Sequence, residues 1–301
     1  MARVTGSHLI GKALKLEGVT NVFSLAGDHI LPVMDVMFDQ DFRFIDTRHE
    51  QAAVHMADAY GRITGQLGVA MYTTPGFANA IPGLTNALHS ESPLLSIAGS
   101  ADLSDLGRGA MQEIDQVGMA APVVKESLMI HDARRIPDTI ARAARLAFSG
   151  RRGPVHITIP IDVQDQEIDE DEVVFFNPDE YRAPEGVLAR PDLVRQAIDI
   201  LRQAKRPLVV IGEAGGYSQT GEALQNFIET ARIPVLNEGQ ARGLVPDDHP
   251  YSFGFFERGL NRAATKLRDA DVVLLLGRKQ DYTIGYCRPP NVAADAKIIQ
   301  V

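Results

Sequence analysis

The residues best suited to chemistry lie in three polar turns of the sequence. The first turn, residues 46–50, places a histidine and then Glu50 between a predicted strand and a predicted helix. The second, residues 72–79, is rich in Thr, Gly and Asn, and the third, residues 111–116, contains Gln112. In a parallel sheet such turns meet at the carboxyl edge of the strands, where ligands bind. A glutamate in a first helical turn also suits the helix dipole without any catalytic role, so the pattern alone leaves both interpretations of Glu50 open.

The elements that position these turns alternate between strand and helix. Short apolar runs predict buried strands, and apolar residues spaced three and four apart predict helices. In the first half the predicted strands are 21–25, 43–46, 69–73, 94–98 and 154–159, and the helices are 30–38, 50–64, 80–88 and 136–148. In the second half the strands are 207–211, 233–236, 272–276 and 297–301, with helices from Pro191, over 220–230 and near 262–267. This alternation predicts an α/β fold with two doubly wound parallel sheets.

An acidic segment, residues 166–190, interrupts the alternation. It combines a run of Asp and Glu with Pro178 and Pro184, a composition typical of an extended linker. We therefore expect one domain over residues 1–165 and a second, incomplete domain over residues 191–301. The alternative is a solvated surface loop within one larger domain.

Length and composition exclude several classes of protein. A chain of 301 residues is long enough for two domains of about 100–200 residues each. There are 39 Asp and Glu against 30 Lys and Arg, whereas nucleic-acid binding needs clustered Lys and Arg. No apolar run approaches the ~20 residues of a membrane span, and the single Cys287 cannot form an internal disulfide. We expect a cytoplasmic protein that binds neither nucleic acid nor membranes.

Other chemical signatures are weak or missing. The segment 209–216 contains G-x-x-G-G between a strand and a helix, which suits either a phosphate at the helix N-terminus or a tight turn without a ligand. The histidines lack the spacing of a helical zinc site, and Cys287 has no evident catalytic partner. We expect no metal ligands in this chain.

The chain resembles the pyrimidine-binding and central domains of thiamine diphosphate-dependent enzymes of the acetolactate synthase type. In the first half the matching motifs are residues 47–51, 55–62, Pro75-Gly76 with Asn79, 112–115 and 150–155. In the second half they are residues 206–210, 246–250 and 295–301. The motifs follow the family's order over nearly the whole chain. The resemblance therefore assigns residues 1–165 to the pyrimidine-binding domain and residues 191–301 to part of the central domain.

The resemblance implies a catalytic role for Glu50. Its carboxyl would hydrogen-bond N1′ of the cofactor's aminopyrimidine, so that the 4′ nitrogen can remove the proton from thiazolium C2. The resulting ylide attacks a carbonyl carbon, and the thiazolium serves as an electron sink. The implied activity is that of a carbon–carbon lyase or carboligase, acting on 2-keto acids, aldehydes or 2-hydroxy ketones.

The same resemblance implies that five residues bind the cofactor: Glu50, Thr74, Pro75, Gly76 and Asn79. The usual form of the family's turn is T-x-G-P-G-x-x-N. This chain is one glycine short, because Thr74 directly precedes Pro75-Gly76. The contacts made by Thr74 are therefore left open.

His29 and Gln112 are the other catalytic candidates. A histidine in the turn after the first strand is similar to benzaldehyde lyase and related carboligases, and Gln112 matches an active-site glutamine of the family. We hypothesise that both relay protons to substrate oxygens; the alternative is that His29 only caps the following helix. For the reaction, the alternatives are acetolactate synthase proper and a relative of 2-hydroxyacyl-CoA lyase or oxalyl-CoA decarboxylase. Lys125 also matches the family, and we assign it no role.

The family's magnesium and diphosphate motif begins with Gly-Asp-Gly, a tripeptide that does not occur in this sequence. The resemblance therefore implies that the Mg²⁺ ligands and the diphosphate-binding domain lie outside this chain. The site would form between protomers of a homodimer or homotetramer. An alternative of another class is a cofactor-binding half, as a fragment or a separate subunit, that is inactive without a diphosphate-binding partner. Some family members bind FAD or ADP in the central domain, and residues 212–216 do not decide whether this chain does.

Overall fold

A six-stranded parallel sheet forms the centre of the first of two units into which the chain divides, Met1–Pro184 and Glu185–Val301. The computed structural model describes residues 3–182, 188–217 and 221–301. The strands of the first unit are β1 (Arg3–Thr5), β2 (Asn21–Leu25), β3 (Arg43–Asp46), β4 (Gly68–Tyr72), β5 (Leu94–Ser100), β6 (Ser127–Met129), β7 (Pro154–Pro160) and β8 (Glu167–Asp169). Its helices are α1 (Gly6–Leu16), α2 (Leu31–Asp39), α3 (Glu50–Thr64), α4 (Thr74–His89), α5 (Gln116–Ala120), α6 (Ile136–Phe148), α7 (Ile161–Asp165) and α8 (Pro178–Tyr181).

The order of the sheet is β3-β2-β4-β5-β7-β6, with every neighbouring pair parallel. Helices cover both faces, so successive strand residues enter different cores: Val69 and Met71 pack with α1, α2 and α6, while Ala70 and Tyr72 pack with α3 and α4. Burial on both faces explains why the strands read as continuous apolar runs. The doubly wound α/β fold predicted from the sequence is confirmed.

Differences between predicted and observed elements have local causes. Helix α4 begins at Thr74, six residues before the predicted helix 80–88, because Thr73 is extended and Pro75 occupies the first helical turn, where its fixed φ is favourable. Strands β1, β6 and β8 were not predicted, since each has only three residues and leaves no periodic pattern.

The acidic segment belongs to the first unit as far as Arg182, whereas the sequence analysis expected a linker from residue 166. Strand β8 pairs antiparallel with β1, and the Arg182 guanidinium donates to the carboxylate of Glu17 on the first unit. Lys12 and Arg134 pair with two acidic residues of the segment, Glu170 and Glu172. These long-range partners cannot be read from composition. Residues 183–187 of the expected linker lie outside the described residues.

The second unit contains a five-stranded sheet in the order β11-β10-β9-β12-β13, also with parallel neighbours. The strands are β9 (Pro207–Ile211), β10 (Val235–Asn237), β11 (Ser252–Phe255), β12 (Val272–Leu276) and β13 (Lys297–Gln300). The described helices are α9 (Pro191–Gln203), α10 (Glu213–Tyr217) and α11 (Gly221–Ala231), and the predicted helix near 262–267 is a 3-10 helix, Arg262–Asp269. The second parallel sheet predicted from the sequence is therefore confirmed, with β11 as an unpredicted edge strand.

Candidate active site

The first two polar turns meet at the carboxyl edge of the first sheet. Glu50 opens α3 directly after the β3 turn, because His49 is extended and its ring accepts a hydrogen bond from the Gln51 backbone N–H. The Glu50 side chain is buried, with 7% of the residue exposed. From α4, the Asn79 amide donates to Glu50 Oε2 over 3.0 Å. The two turns therefore form one site around the Glu50 carboxylate.

Gly76 lets the start of α4 approach that carboxylate. A Cβ atom at Gly76 would lie 2.5 Å from Glu50 Oε1 and 2.6 Å from its Cγ, which is closer than atoms can pack. Pro75 is exposed beside it in the first turn of α4. In the described part of the chain, the hydrogen bonds to the Glu50 side chain engage Oε2 and leave Oε1 open.

His29 lies in a 3-10 helix, Asp28–Ile30, that follows β2 at the same sheet edge. Only 1% of His29 is exposed. Its Nδ1 lies 3.0 Å from the hydroxyl oxygens of both Thr73 and Thr74, and the Gln164 amide donates to its backbone carbonyl over 2.7 Å. Burial lowers the pKa of the His29 ring, partly offset by the nearby carboxylates of Asp28 and Asp102. The ring is thus neutral at physiological pH.

The third turn places Gln116, rather than Gln112, in the hydrogen-bond network of His29, because both bond to the Thr74 hydroxyl. Gln112 lies in an exposed loop with a φ of 56°, and in the described residues no hydrogen bond joins it to the site. Gln116 is the first residue of α5 and is 1% exposed. Its amide nitrogen lies 3.2 Å from the Thr74 hydroxyl and 3.0 Å from the carbonyl oxygen of Gly99. The role predicted for Gln112 stays a prediction, and Gln116 is a site residue that the sequence analysis missed.

A buried series of hydrogen bonds continues from Gln116 beneath the sheet edge. The Thr158 hydroxyl donates to Gln116 Oε1 over 2.8 Å and lies 3.0 Å from Nε2 of His156. Nδ1 of His156 lies 2.9 Å from the hydroxyl of Ser96, which also contacts the hydroxyl of Tyr72. The one signal in the sequence was polar residues inside apolar strand runs, since buried polar groups need partners.

His156 makes the stability of this region depend on pH. Complete burial lowers its pKa from 6.5 to about 3, so below pH 6.5 the unfolded chain binds a proton that the folded chain does not. The free energy of unfolding should therefore fall by about 1.4 kcal/mol per pH unit below 6.5 from this group. Between pH 6.5 and pH 5, the free energy of unfolding measured in urea should fall by about 2 kcal/mol more for the unsubstituted protein than for His156→Gln.

The matched control is His131→Gln, because His131 is exposed and has no part in the buried series of hydrogen bonds. Glu17 and Glu238 have pKa values raised to about 7 by burial and act in the opposite direction, which is why the comparison is made between variants. Equal losses in the protein and in His156→Gln would contradict the assignment.

Lys125 has a structural explanation. Its Nζ donates to the backbone carbonyls of Leu146 and Ser149, which lie at the C-terminal end of α6, where a cation also favours the helix dipole. Burial lowers the pKa of the Lys125 ammonium, and the charge of Arg151 lowers it further. These contacts account for the residue without a catalytic role.

The glycine-rich turn of the second unit makes contacts within the protein at groups that a diphosphate would need. Two of its backbone N–H groups are already used: Gly212 donates to the Leu276 carbonyl over 2.9 Å, and Ala214 donates to the Gly277 carbonyl over 3.1 Å. The Arg278 side chain packs against the turn, since a Cβ at Gly212 would lie 2.6 Å from its Cδ. A phosphate on helix N–H groups needs those donors free.

Three carboxylates surround the buried Arg278 at this edge. Its guanidinium donates to Glu238 over 2.9 Å and to Asp281 over 2.7 Å, and it lies 3.5 Å from the carboxylate of Glu213. This negative charge would oppose a diphosphate. These contacts give no support to the FAD or ADP that the sequence left open for this domain.

Among residues 3–182, 188–217 and 221–301, no three His, Cys, Asp or Glu side chains are grouped so that they could hold a metal ion. No described helix has the length and apolar character needed to cross a bilayer.

The doubly wound first unit is an α/β domain that places a buried glutamate at the carboxyl edge of its sheet, where such proteins bind ligands. Two models of one family match this chain. The N-terminal binding domain of thiamine pyrophosphate (that is, thiamine diphosphate) enzymes matches residues 4–119, and the central domain of the same enzymes matches residues 194–301. Together they cover most of the chain, which belongs to the thiamine pyrophosphate enzyme family.

Several relatives are similar over nearly the full length of this chain. It is 34% identical over 308 residues to a probable acetolactate synthase large subunit of Methanocaldococcus jannaschii, covering 98% of this chain and 50% of that protein. It is 32% identical over 305 residues to oxalyl-CoA decarboxylase of Escherichia coli K12, covering 98% and 52%. It is 30% identical over 300 residues to 2-hydroxyacyl-CoA lyase 1 of Homo sapiens, covering 99% and 50%. The chain thus spans about half the length of the curated relatives it matches.

Proposed function

We propose that this chain supplies the pyrimidine-binding half of a thiamine diphosphate-dependent carbon–carbon lyase or carboligase. The observation that carries the proposal is the Glu50 carboxylate, buried at the start of α3, bonded by Asn79 through one oxygen and packed against Gly76. This geometry fits the cofactor, because Asn79 engages Oε2 and leaves Oε1 without a hydrogen bond to the described residues, so that Oε1 can meet the pyrimidine N1′.

The residues of the chain then have distinct tasks. Glu50 holds a proton at the pyrimidine N1′, Asn79 fixes the direction of its carboxylate, and Gly76 provides the close approach. Thr74 and Pro75 shape the same turn. When bound, thiamine diphosphate supplies a thiazolium that accepts the electron pair of a broken carbon–carbon bond. His29 exchanges a proton with a hydroxyl or carbonyl oxygen of the substrate.

The substrate class that the relatives support is a 2-keto acid, an aldehyde, or a 2-hydroxy ketone or its acyl-CoA counterpart. The relatives' names support acetolactate synthesis, oxalyl-CoA decarboxylation and 2-hydroxyacyl-CoA cleavage as alternatives within one reaction type. Because the sequence contains no Gly-Asp-Gly motif, we infer that Mg²⁺ and the diphosphate are bound by residues outside this chain, across a protomer interface in a homodimer or homotetramer. We place the domain boundary near residue 184, where the first of the two units ends.

The test is an assay of the full-length protein with thiamine diphosphate and Mg²⁺. Pyruvate, an aromatic 2-hydroxy ketone, oxalyl-CoA and a 2-hydroxyacyl-CoA are offered separately, and products are identified by mass spectrometry. We expect turnover of at least one substrate that disappears when the cofactor is omitted. Turnover without the cofactor, or no turnover of any of the four with the cofactor bound, would reject the proposal.

A further inference from the structure

The hydrogen bonds around His29 have a direction that can be assigned from the Gln116 amide. A carbonyl oxygen only accepts, so the Gln116 group that lies 3.0 Å from the Gly99 carbonyl is the NH₂, and Oε1 faces Thr158. Because the Thr158 hydroxyl then donates to Gln116, Nε2 of His156 donates to Thr158, and Nδ1 of His156 accepts from Ser96. Burial raises the pKa of the Tyr72 hydroxyl well above its ordinary value, so Tyr72 stays protonated beside Ser96.

The direction continues through Gln116. Its Oε1 can only accept, and it accepts the hydrogen bond of the Thr158 hydroxyl. The amide nitrogen therefore faces the carbonyl oxygen of Gly99 and the hydroxyl of Thr74. The two amide protons serve these two acceptors. Gln116 therefore donates to Thr74 rather than accepting from it.

The Thr74 hydroxyl donates its own hydrogen bond to the Gly99 carbonyl oxygen. The hydroxyl lies 3.0 Å from the Gly99 carbonyl oxygen, and it accepts from Gln116 on the opposite side. One lone pair of the Thr74 oxygen remains, and it faces Nδ1 of His29. The Thr73 oxygen faces the same Nδ1 at the same distance and also accepts the backbone N–H of His29. Both oxygens can accept from one N–H at this ring nitrogen, whereas a lone pair there could accept from only one hydroxyl. The arrangement therefore favours a proton on Nδ1.

We propose that Thr74, oriented by Gln116, is a positioning residue that holds His29 as the Nδ1–H tautomer and leaves Nε2 unprotonated. The tautomer of an imidazole is set by the hydrogen bond that its other nitrogen makes. In the usual form of this turn a glycine precedes Pro75-Gly76, and a glycine has no hydroxyl for such a bond. Thr74, at the position of that glycine, therefore supplies a hydrogen-bond partner for His29 in this chain.

An unprotonated Nε2 accepts a proton, so His29 begins its part in the reaction as a base toward a substrate hydroxyl. This catalytic meaning rests on the proposed function, whereas the tautomer itself does not. The neutral state of the ring agrees with the lowered pKa of His29.

The tautomer is measured on the full-length protein labelled with ¹⁵N-histidine, by the chemical shifts of the two ring nitrogens. The His29 signals are assigned as those missing from His29→Gln. We expect the proton on Nδ1. In Thr74→Val, only the Thr73 hydroxyl faces Nδ1 and can donate to it, so the proton should move to Nε2. Thr74→Ser keeps the hydroxyl and should keep the Nδ1–H form.

The matched control is Thr85→Val in the same helix, because its hydroxyl donates only to the Ile81 carbonyl of its own turn. It should leave the His29 tautomer unchanged. With the preferred substrate, Thr74→Val should lower kcat by about 10²-fold or more with little change in KM, and Thr74→Ser should restore most of kcat.

A proton on Nε2 in the unsubstituted protein, or an unchanged Nδ1–H form in Thr74→Val, would overturn the proposal. The first result depends on no substitution at Thr74 and needs only His29→Gln for the assignment. If the tautomers behave as expected but no thiamine diphosphate-dependent turnover is found, the proposed function fails while the positioning role stands.

Discussion

Glu50→Gln should lower kcat by about 10²–10⁴-fold, the range that a positioned acid–base group contributes, while the fold is retained. The amide has the size of the carboxyl group and can still accept the hydrogen bond from Asn79, so packing at the start of α3 is preserved. It cannot exchange a proton with the pyrimidine N1′. Two measurements check the prediction: kcat, and the rate at which the C2 proton of the bound cofactor exchanges with deuterium.

The control is Glu180→Gln, since Glu180 is exposed on α8 and has no part in the site. In Glu180→Gln, kcat and the rate of C2 proton exchange should both remain within about twofold of the values for the unsubstituted protein. Circular dichroism should be unchanged for both variants. Near-normal turnover or C2 exchange in Glu50→Gln would remove Glu50 from the catalytic assignment.

Gly76→Ala should lower kcat by about 10–100-fold. The new Cβ would meet the Glu50 carboxylate at 2.5 Å, so the carboxylate must turn away and lose the bond from Asn79. A hydrogen bond to a charged group contributes about 1.5–3 kcal/mol, which corresponds to this change in rate. Helix α4 itself should not be destabilised, because alanine is a better helix former than glycine by about 1 kcal/mol.

Gly221→Ala is the matched control. Gly221 opens α11, and a Cβ there would contact atoms of Leu244 only at 3.7 and 4.0 Å, so neither activity nor thermal stability should fall. For Gly76→Ala, a lowered kcat with an unchanged melting temperature would support the close approach to Glu50. Full activity would mean that the carboxylate does not need its observed direction.

Much of the fold could be predicted because strands buried on both faces have continuous apolar sequences and the helices between them have a clear period. The predicted strands 21–25 and 43–46 coincide with β2 and β3. The turns that carry Glu50 and Gly76 could be found for the same reason, since each directly follows a strand. The pairing of β1 with β8 in the acidic segment could not, because it joins residues more than 100 positions apart, such as Arg3 opposite Asp169.

The alternation of strands and helices, the family, and the presence of a glutamate at a sheet edge followed from local sequence, since backbone preference and burial pattern act over a few residues. Tertiary packing alone decided which glutamine bonds to Thr74 and so joins the hydrogen bonds around His29. Gln112 and Gln116 are one helical turn apart in sequence, but only Gln116 is buried against Thr74 and Thr158. Packing likewise decided that the glycine-rich turn of the second unit is filled by Arg278. Hydrogen-bond partners and close approaches depend on which strands become neighbours, and that is a property of the folded chain.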